Sequence, residues 1–139
     1  MKYKLNIKEK EPKLPKEQAI EEFSRMAEHW EFRLSFEYDV DQRDTDGFCD
    51  LVIDGLIEGS VSIDHEKMLP VVHSNLGDVK FKEPGGFSPM EMDSKKKDRE
   101  ITKVYAAIGS WCSRPVSDFG KMHPKYINLC MALWALFFG

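Results

Sequence analysis

Residues 56–82, LIEGSVSIDHEKMLPVVHSNLGDVKFK, decide the fold of this chain. Short runs rich in valine, isoleucine and phenylalanine alternate there with polar residues, which is typical of strands with one buried face. Two turn-forming stretches, 65–68 and Asn75 to Gly77, interrupt these runs. We therefore expect antiparallel strands over 56–64, 69–74 and 78–82.

The residues before this segment extend the predicted sheet. Residues 34–40 alternate apolar and polar side chains, and an apolar run resumes over 48–53. The dipeptide Asp54-Gly55 that follows is a strong hairpin signal. Together these patterns predict a β meander of four or five strands over 34–83.

The N-terminal part predicts a helix over 15–33. Ala19, Phe23 and Met26 follow the spacing of one helical face, and Pro15 suits a first-turn position. Before this helix, residues 1–14 alternate lysine with apolar residues and then turn polar. They predict either an edge strand guarded by lysines or a mobile arm.

The C-terminal part, 88–138, predicts helices. Ser88, Pro89 and Glu91 form a capping-box pattern that opens a helix over 89–111. A single helical turn over 116–121 precedes a last helix that begins at Pro124 and is apolar nearly all round. Such a helix belongs in a core or in a partner's groove.

The sum of these elements is a single α+β domain over 1–139. A small antiparallel sheet packs with an N-terminal helix and is followed by a C-terminal helical pair. The length of 139 residues fits one domain, and 42% apolar residues are enough to build its core.

Charge and cysteine usage exclude some classes of function. The net charge is −4, and 37–66 holds ten acidic residues against one arginine. This balance disfavours a basic nucleic-acid-binding protein. A membrane span is not expected, because no run of about 18 apolar residues occurs. The three cysteines are odd in number and form no C-x-x-C pair, which indicates a reduced, intracellular protein.

Candidate metal ligands do not fall into a recognised spacing. The run 44–47 resembles the middle of a calcium loop, but the flanking ligand positions hold Gln42 and Ile53. Asp64, His65 and His73 match no helical ligand pair. We expect no metal, cofactor or catalytic residues.

The apolar C-terminal helix suggests where a partner would bind. Large apolar side chains that a two-layer domain cannot cover mark interaction sites. The alternative is that these side chains are ordinary core. The predicted contact residues are Trp111, Tyr126, Leu133, Trp134, Phe137 and Phe138.

Four features of the C-terminal half carry a family resemblance. The segment 79–84 reads VKFKEP, a helix of mixed polarity follows over 89–111, Ser-Asp-Phe occupies 117–119, and a short apolar helix over 129–138 ends in paired phenylalanines. In this order, residues 76–138 resemble the tail assembly chaperones of Mu-like and related tailed phages.

The resemblance implies a viral protein without enzymatic activity. Such a chaperone would act in the cytoplasm of the bacterial host and keep a tape measure protein soluble during tail assembly. The apolar C-terminal helix also favours a homo-oligomer. Two alternatives stay open. A small phage or mobile-element protein, such as a virion adaptor or an inhibitor, could use the acidic surface of 37–66. A small metal-dependent hydrolase could use Asp64, His65 and His73.

Overall fold

A computed structural model of the chain describes residues 14–84 and 100–138. The predicted arm and the capping box at Ser88 lie outside these residues. The elements are α1 (Lys16–His29), α2 (Asp39–Glu58), β1 (Val61–Asp64), β2 (Leu69–Ser74), β3 (Gly77–Lys80), α3 (Glu100–Cys112), a 3₁₀ turn (Val116–Gly120) and α4 (Pro124–Phe138). This arrangement of helices and a small antiparallel sheet confirms the α+β class.

The three strands pair in sequence order as an antiparallel sheet. Val61 lies opposite Val72, which lies opposite Val79, so these valines form one buried row across the sheet. Full burial of each contributes about 1.5–3 kcal/mol. The prediction of strands at 69–74 and around 78–80 is confirmed, and β1 occupies the second half of the predicted strand 56–64.

The predicted strands between 34 and 58 are wrong, because α2 occupies 39–58. The deciding pattern is the spacing of Thr45, Cys49, Val52 and Leu56, which places buried and half-buried side chains on one helical face. Residues 34–38 lie in no helix or strand, and they pair with no strand among the described residues. The predicted meander of four or five strands over 34–83 is therefore a three-stranded sheet over 61–80.

The dipeptide Asp54-Gly55 forms no hairpin, because Gly55 serves close packing inside α2. A Cβ atom on Gly55 would lie 2.8 Å from Val61 Cγ2 and 3.2 Å from Leu129 Cδ2. The absence of a side chain thus lets α2 approach both the sheet and α4. The helix ends at Gly59, whose φ of 89° lies in the left-handed region favoured by glycine.

Helix α4 lies at the centre of the fold. It begins at Pro124 as predicted, and it packs against α2, α3 and β2. Met26, Val52 and Ile108 extend the same core, with at most traces of exposed surface. The helix is apolar on nearly every side because neighbours from the same chain surround much of it.

Candidate functional site

Two of the six predicted contact residues lie in the core. Trp111 and Leu133 are both 0% exposed. The Trp111 ring lies 4.3 Å from that of Phe81, and its Nε1 donates a hydrogen bond to the Lys82 carbonyl at 2.8 Å. In this fold the two side chains hold α3, α4 and the sheet together and present no surface to a partner.

The structure brings Trp111 together with three other predicted residues. Phe138 lies 4.4 Å from Trp134 and 5.1 Å from Trp111, and Phe137 lies 5.0 Å from Trp111, measured between ring centroids. Trp134, Phe137 and Phe138 are half-buried. Tyr126 lies apart, in the first turn of α4, with its ring 6.0 Å from that of His123. That these four residues contact a partner stays a prediction.

The acidic segment becomes one face of α2. Asp39, Asp46, Asp50 and Asp54 are all exposed and follow one another seven, four and four positions apart, with Arg43 between the first two. Side chains at this spacing share one face of a helix, here the face opposite Val52. This arrangement concentrates negative charge along a line on the surface of α2.

A second row on α2 lies beside the acidic row and carries two exposed apolar side chains. Val40 is 61% exposed and Leu51 is 41% exposed, with Asp44 and Gly47 between them at helical spacing. A Cβ atom on Gly47 would meet nothing within 4 Å. Glycine inside a helix costs about 1 kcal/mol relative to alanine. No contact within the described part of the chain offsets this cost.

A cleft of about 200 Å³ adjoins the first turns of α2. Phe36, Phe48 and Leu136 form its apolar lining, and Asp41 and Asp44 supply carboxylates. Arg33 also lies on the lining, so the cleft combines apolar side chains with charges of both signs. It lies between the segment before α2, the first turns of α2 and α4.

Gln42 fixes residues 34–36 against the helix. Its Nε2 donates to the Leu34 carbonyl at 2.9 Å, and its Oε1 accepts from the Phe36 backbone N–H at 3.0 Å. The Arg33 guanidinium lies over the Phe36 ring, 4.7 Å from its centroid. These contacts define the rim of the cleft.

Sequence reasoning missed the two rows on α2 because it placed their residues on two strands, in the polar turn 41–47 between them and in a hairpin turn at Asp54. The spacing 40, 44, 47 and 51 was the available signal, since it is helical and repeats on one face. We name the surface formed by Val40, Asp44, Gly47 and Leu51, together with Asp39, Asp46, Asp50 and Asp54, the α2 outer face.

The two candidate metal-binding histidines each contact a different carboxylate. His65 Nε2 lies 3.4 Å from Glu22 Oε1, whereas His73 Nδ1 lies 2.8 Å from Asp78 Oδ1. Within 14–84 and 100–138, no group of three or more histidine, cysteine or acidic side chains is placed to hold a metal ion. The calcium-like run 44–47 lies in the middle of α2.

The cysteines are held as thiols. Burial raises the pKa of Cys112 to about 11 and that of Cys130 to about 12. Desolvation, with help from Asp46 and Asp50, raises the pKa of Cys49 to about 11. Near neutral pH almost no thiolate is present at these positions, so none of them is an activated nucleophile.

Comparison with known proteins identifies no relative of this chain. The chain matches no family model, no curated protein and no solved structure. Among the described residues, no helix combines the length and the apolar character needed to cross a membrane.

Proposed function

We propose that this protein is a phage tail assembly chaperone that acts by non-covalent binding to a long helical, tape-measure-like partner. The observation that carries the proposal is the α2 outer face. Gly47 leaves a low point between Val40 and Leu51, and nothing in the described part of the chain fills it. Close approach of an outside backbone is one of the uses of glycine on a surface.

The chemistry of the α2 outer face favours a helical partner with apolar and basic side chains. A helix that crosses Gly47 would place small or aliphatic side chains on Val40 and Leu51, as in other helix-in-groove complexes. Lysines and arginines beside that apolar stripe would meet the carboxylates of Asp46 and Asp50. Complementary charge of this kind speeds encounter and makes it sensitive to salt.

The proposal also includes the compartment in which the chaperone would act. The chaperone would work in the cytoplasm of a bacterial host, before the tape measure protein is enclosed by the tail tube. Exposed apolar stripes of a tape measure protein favour aggregation, and an acidic partner keeps the complex soluble.

The test is co-expression with the long helical protein encoded nearby in the same genome. Gly47→Gln fills the low point on α2 with a neutral side chain of good helix propensity. We expect it to lower the soluble yield of the partner at least tenfold while leaving the chaperone folded. Gly120→Ala is the matched control, because Gly120 also has open space at its Cβ position but lies in the 3₁₀ turn.

Unchanged partner solubility with Gly47→Gln, or equal losses with both variants, would refute the proposed docking surface. Failure of the unmodified chain to raise the solubility of the partner would refute the chaperone function itself. Circular dichroism of each variant confirms that the fold is retained.

The acidic row favours a second candidate, a virion adaptor or inhibitor that docks on a basic patch. Asp39, Asp46, Asp50 and Asp54 lie on one exposed helix face, so neutralising all four as asparagine removes most of this charge. An adaptor of this kind would lose binding in the four-asparagine variant and would tolerate Gly47→Gln. The chaperone proposed above loses binding with Gly47→Gln as well, so tolerance of Gly47→Gln distinguishes the two candidates.

A further inference from the structure

A line of hydrogen bonds crosses the exposed face of the sheet, away from α2. Asp78 on β3 lies opposite His73 on β2, and Asp78 Oδ1 lies 2.8 Å from His73 Nδ1. On the other side of the imidazole, His73 Nε2 lies 2.8 Å from Ser62 Oγ on β1. Three side chains from three adjacent strands thus form one connected chain.

The contact with Asp78 places one ring proton. An ionised carboxylate only accepts, so this contact requires a proton of His73 on Nδ1. In the tautomer that carries its one ring proton there, His73 offers its Nε2 lone pair to Ser62, whose hydroxyl donates. The hydrogen bond from His73 also lowers the pKa of Asp78 below its ordinary value, which keeps the carboxylate ionised. This order of carboxylate, imidazole and hydroxyl is the one that activates serine nucleophiles.

The sheet holds the three groups in place. His73 and Asp78 are direct cross-strand partners, and Ser62 is diagonal to His73 because it pairs with Val71. The buried valines on the opposite face fix the register, since a slip by one residue would expose them. Ser62 is exposed, so an incoming acyl group reaches its oxygen without movement of the backbone.

From this geometry we propose that Ser62 is an acylation site that reacts with activated esters. Ser62 Oγ attacks the acyl carbon and forms an ester bond to it, while His73 Nε2 takes the hydroxyl proton. The bond from the acyl carbon to the leaving aryloxide breaks, and His73 returns the proton to that oxygen. The products are O-acyl-Ser62 and the free phenol, and no oxidant or reductant is required.

The site is separate from the docking surface proposed for the partner. Ser62, His73 and Asp78 lie on the sheet, whereas Gly47 lies on the outward side of α2. Acylation of Ser62 and chaperone activity are therefore tested by different experiments, and the failure of one proposal leaves the other unaffected.

The test uses the full chain with p-nitrophenyl acetate, with release of p-nitrophenol measured and the acetylated residue located by mass spectrometry of peptides. We expect one acetyl group on Ser62. Ser62→Ala should remove that adduct, and His73→Gln should slow its formation about 100-fold, since a positioned general base contributes at least that much. Asp78→Asn should slow it at least tenfold, because an amide no longer enforces the tautomer of His73.

Ser74→Ala is the matched control. Ser74 follows His73 on β2, but its hydroxyl donates to the Gly77 carbonyl at 2.7 Å and not to His73. We expect this variant to be acetylated on Ser62 at the unmodified rate. Acetyl groups found only on lysines, or on Ser62 at the same rate in His73→Gln and Asp78→Asn, would overturn the proposal. Two independent variants of the relay keep the test valid should one of them fail to fold.

Discussion

The two glycines of α2 give opposite predictions for the same substitution. Gly47→Ala adds a methyl group that meets nothing within 4 Å, so only the gain in helix propensity remains. That gain is about 1 kcal/mol in the free energy of unfolding, which corresponds to about 4 °C in Tm for a domain of this size. We expect Gly47→Ala to raise Tm by that amount.

Gly55→Ala adds the same methyl group on the packed side of the helix. There it would lie 2.8 Å from Val61 Cγ2 and 3.2 Å from Leu129 Cδ2, so side chains on β1 and α4 must move. Overpacking of this kind costs about 1–3 kcal/mol, and the helix propensity of alanine offsets about 1 kcal/mol of it. We expect a net loss of up to about 2 kcal/mol.

Thermal and urea unfolding followed by circular dichroism at the helical band measures both variants. The comparison also tests the assignment of 39–58 as helix. In a sheet, Gly47 would lie in a polar turn and Gly55 in a hairpin turn, and alanine would stabilise neither. A fall in Tm for Gly47→Ala, or equal stability of the two variants, would refute the reasoning.

Three further predictions concern α3 and the buried thiols. A Cβ atom on Gly109 would lie 2.6 Å from the Arg114 carbonyl oxygen, so Gly109→Ala should lower Tm by several degrees or prevent folding, as seen in a melting curve. Ser113 has φ of 57°, so Ser113→Gly should raise the free energy of unfolding by about 1 kcal/mol in urea titration. Burial raises the pKa of Cys112 to about 11 and that of Cys130 to about 12. Because the unfolded thiols ionise near pH 8.5, the contribution of these thiols to stability should be constant below that pH and fall as pH rises toward 11. A Tm that stays constant over this upper range would contradict the last prediction.

The sequence predicted those elements whose signals are local. Helix α1 follows from one apolar face, although it spans Lys16–His29 and not 15–33, because Glu31 turns into the left-handed region with φ of 53°. The strands at 69–80 follow from alternation and from the turn at Asn75 to Gly77. Pro124 marks the start of α4 because proline suits the first helical position.

The error at α2 arose because two signals conflicted. Residues 34–40 do alternate, and Leu34 and Phe36 are half-buried while Ser35 between them is exposed, yet the segment forms no ladder. Asp54-Gly55 is a hairpin signal only when strands flank it. Here Gly55 is required by the proximity of Val61 and Leu129, and no local pattern reveals such tertiary contacts.

The same error placed the predicted contact residues on α3 and α4 and none on α2. With 39–58 assigned to strands and turns, the predicted two-layer domain could not cover the apolar surface of α4. Trp111 and Leu133 were therefore predicted to contact a partner, with ordinary core as the alternative. Helix α2 packs against α4, and both side chains are core. The position of the acidic segment was visible in the sequence, but its concentration on one exposed face required knowledge of the helix.

Gly47 and Gly55 also show that internal packing and partner binding place different requirements on α2. Gly55 is retained by internal packing, so its replacement should lower stability. Gly47 lowers stability by its presence, and such a cost persists in natural proteins where a function uses the site. Gly47→Ala should thus produce a chain that is about 1 kcal/mol more stable and binds its helical partner more weakly. Equal binding by this stabilised variant would show that the partner does not approach α2 at Gly47.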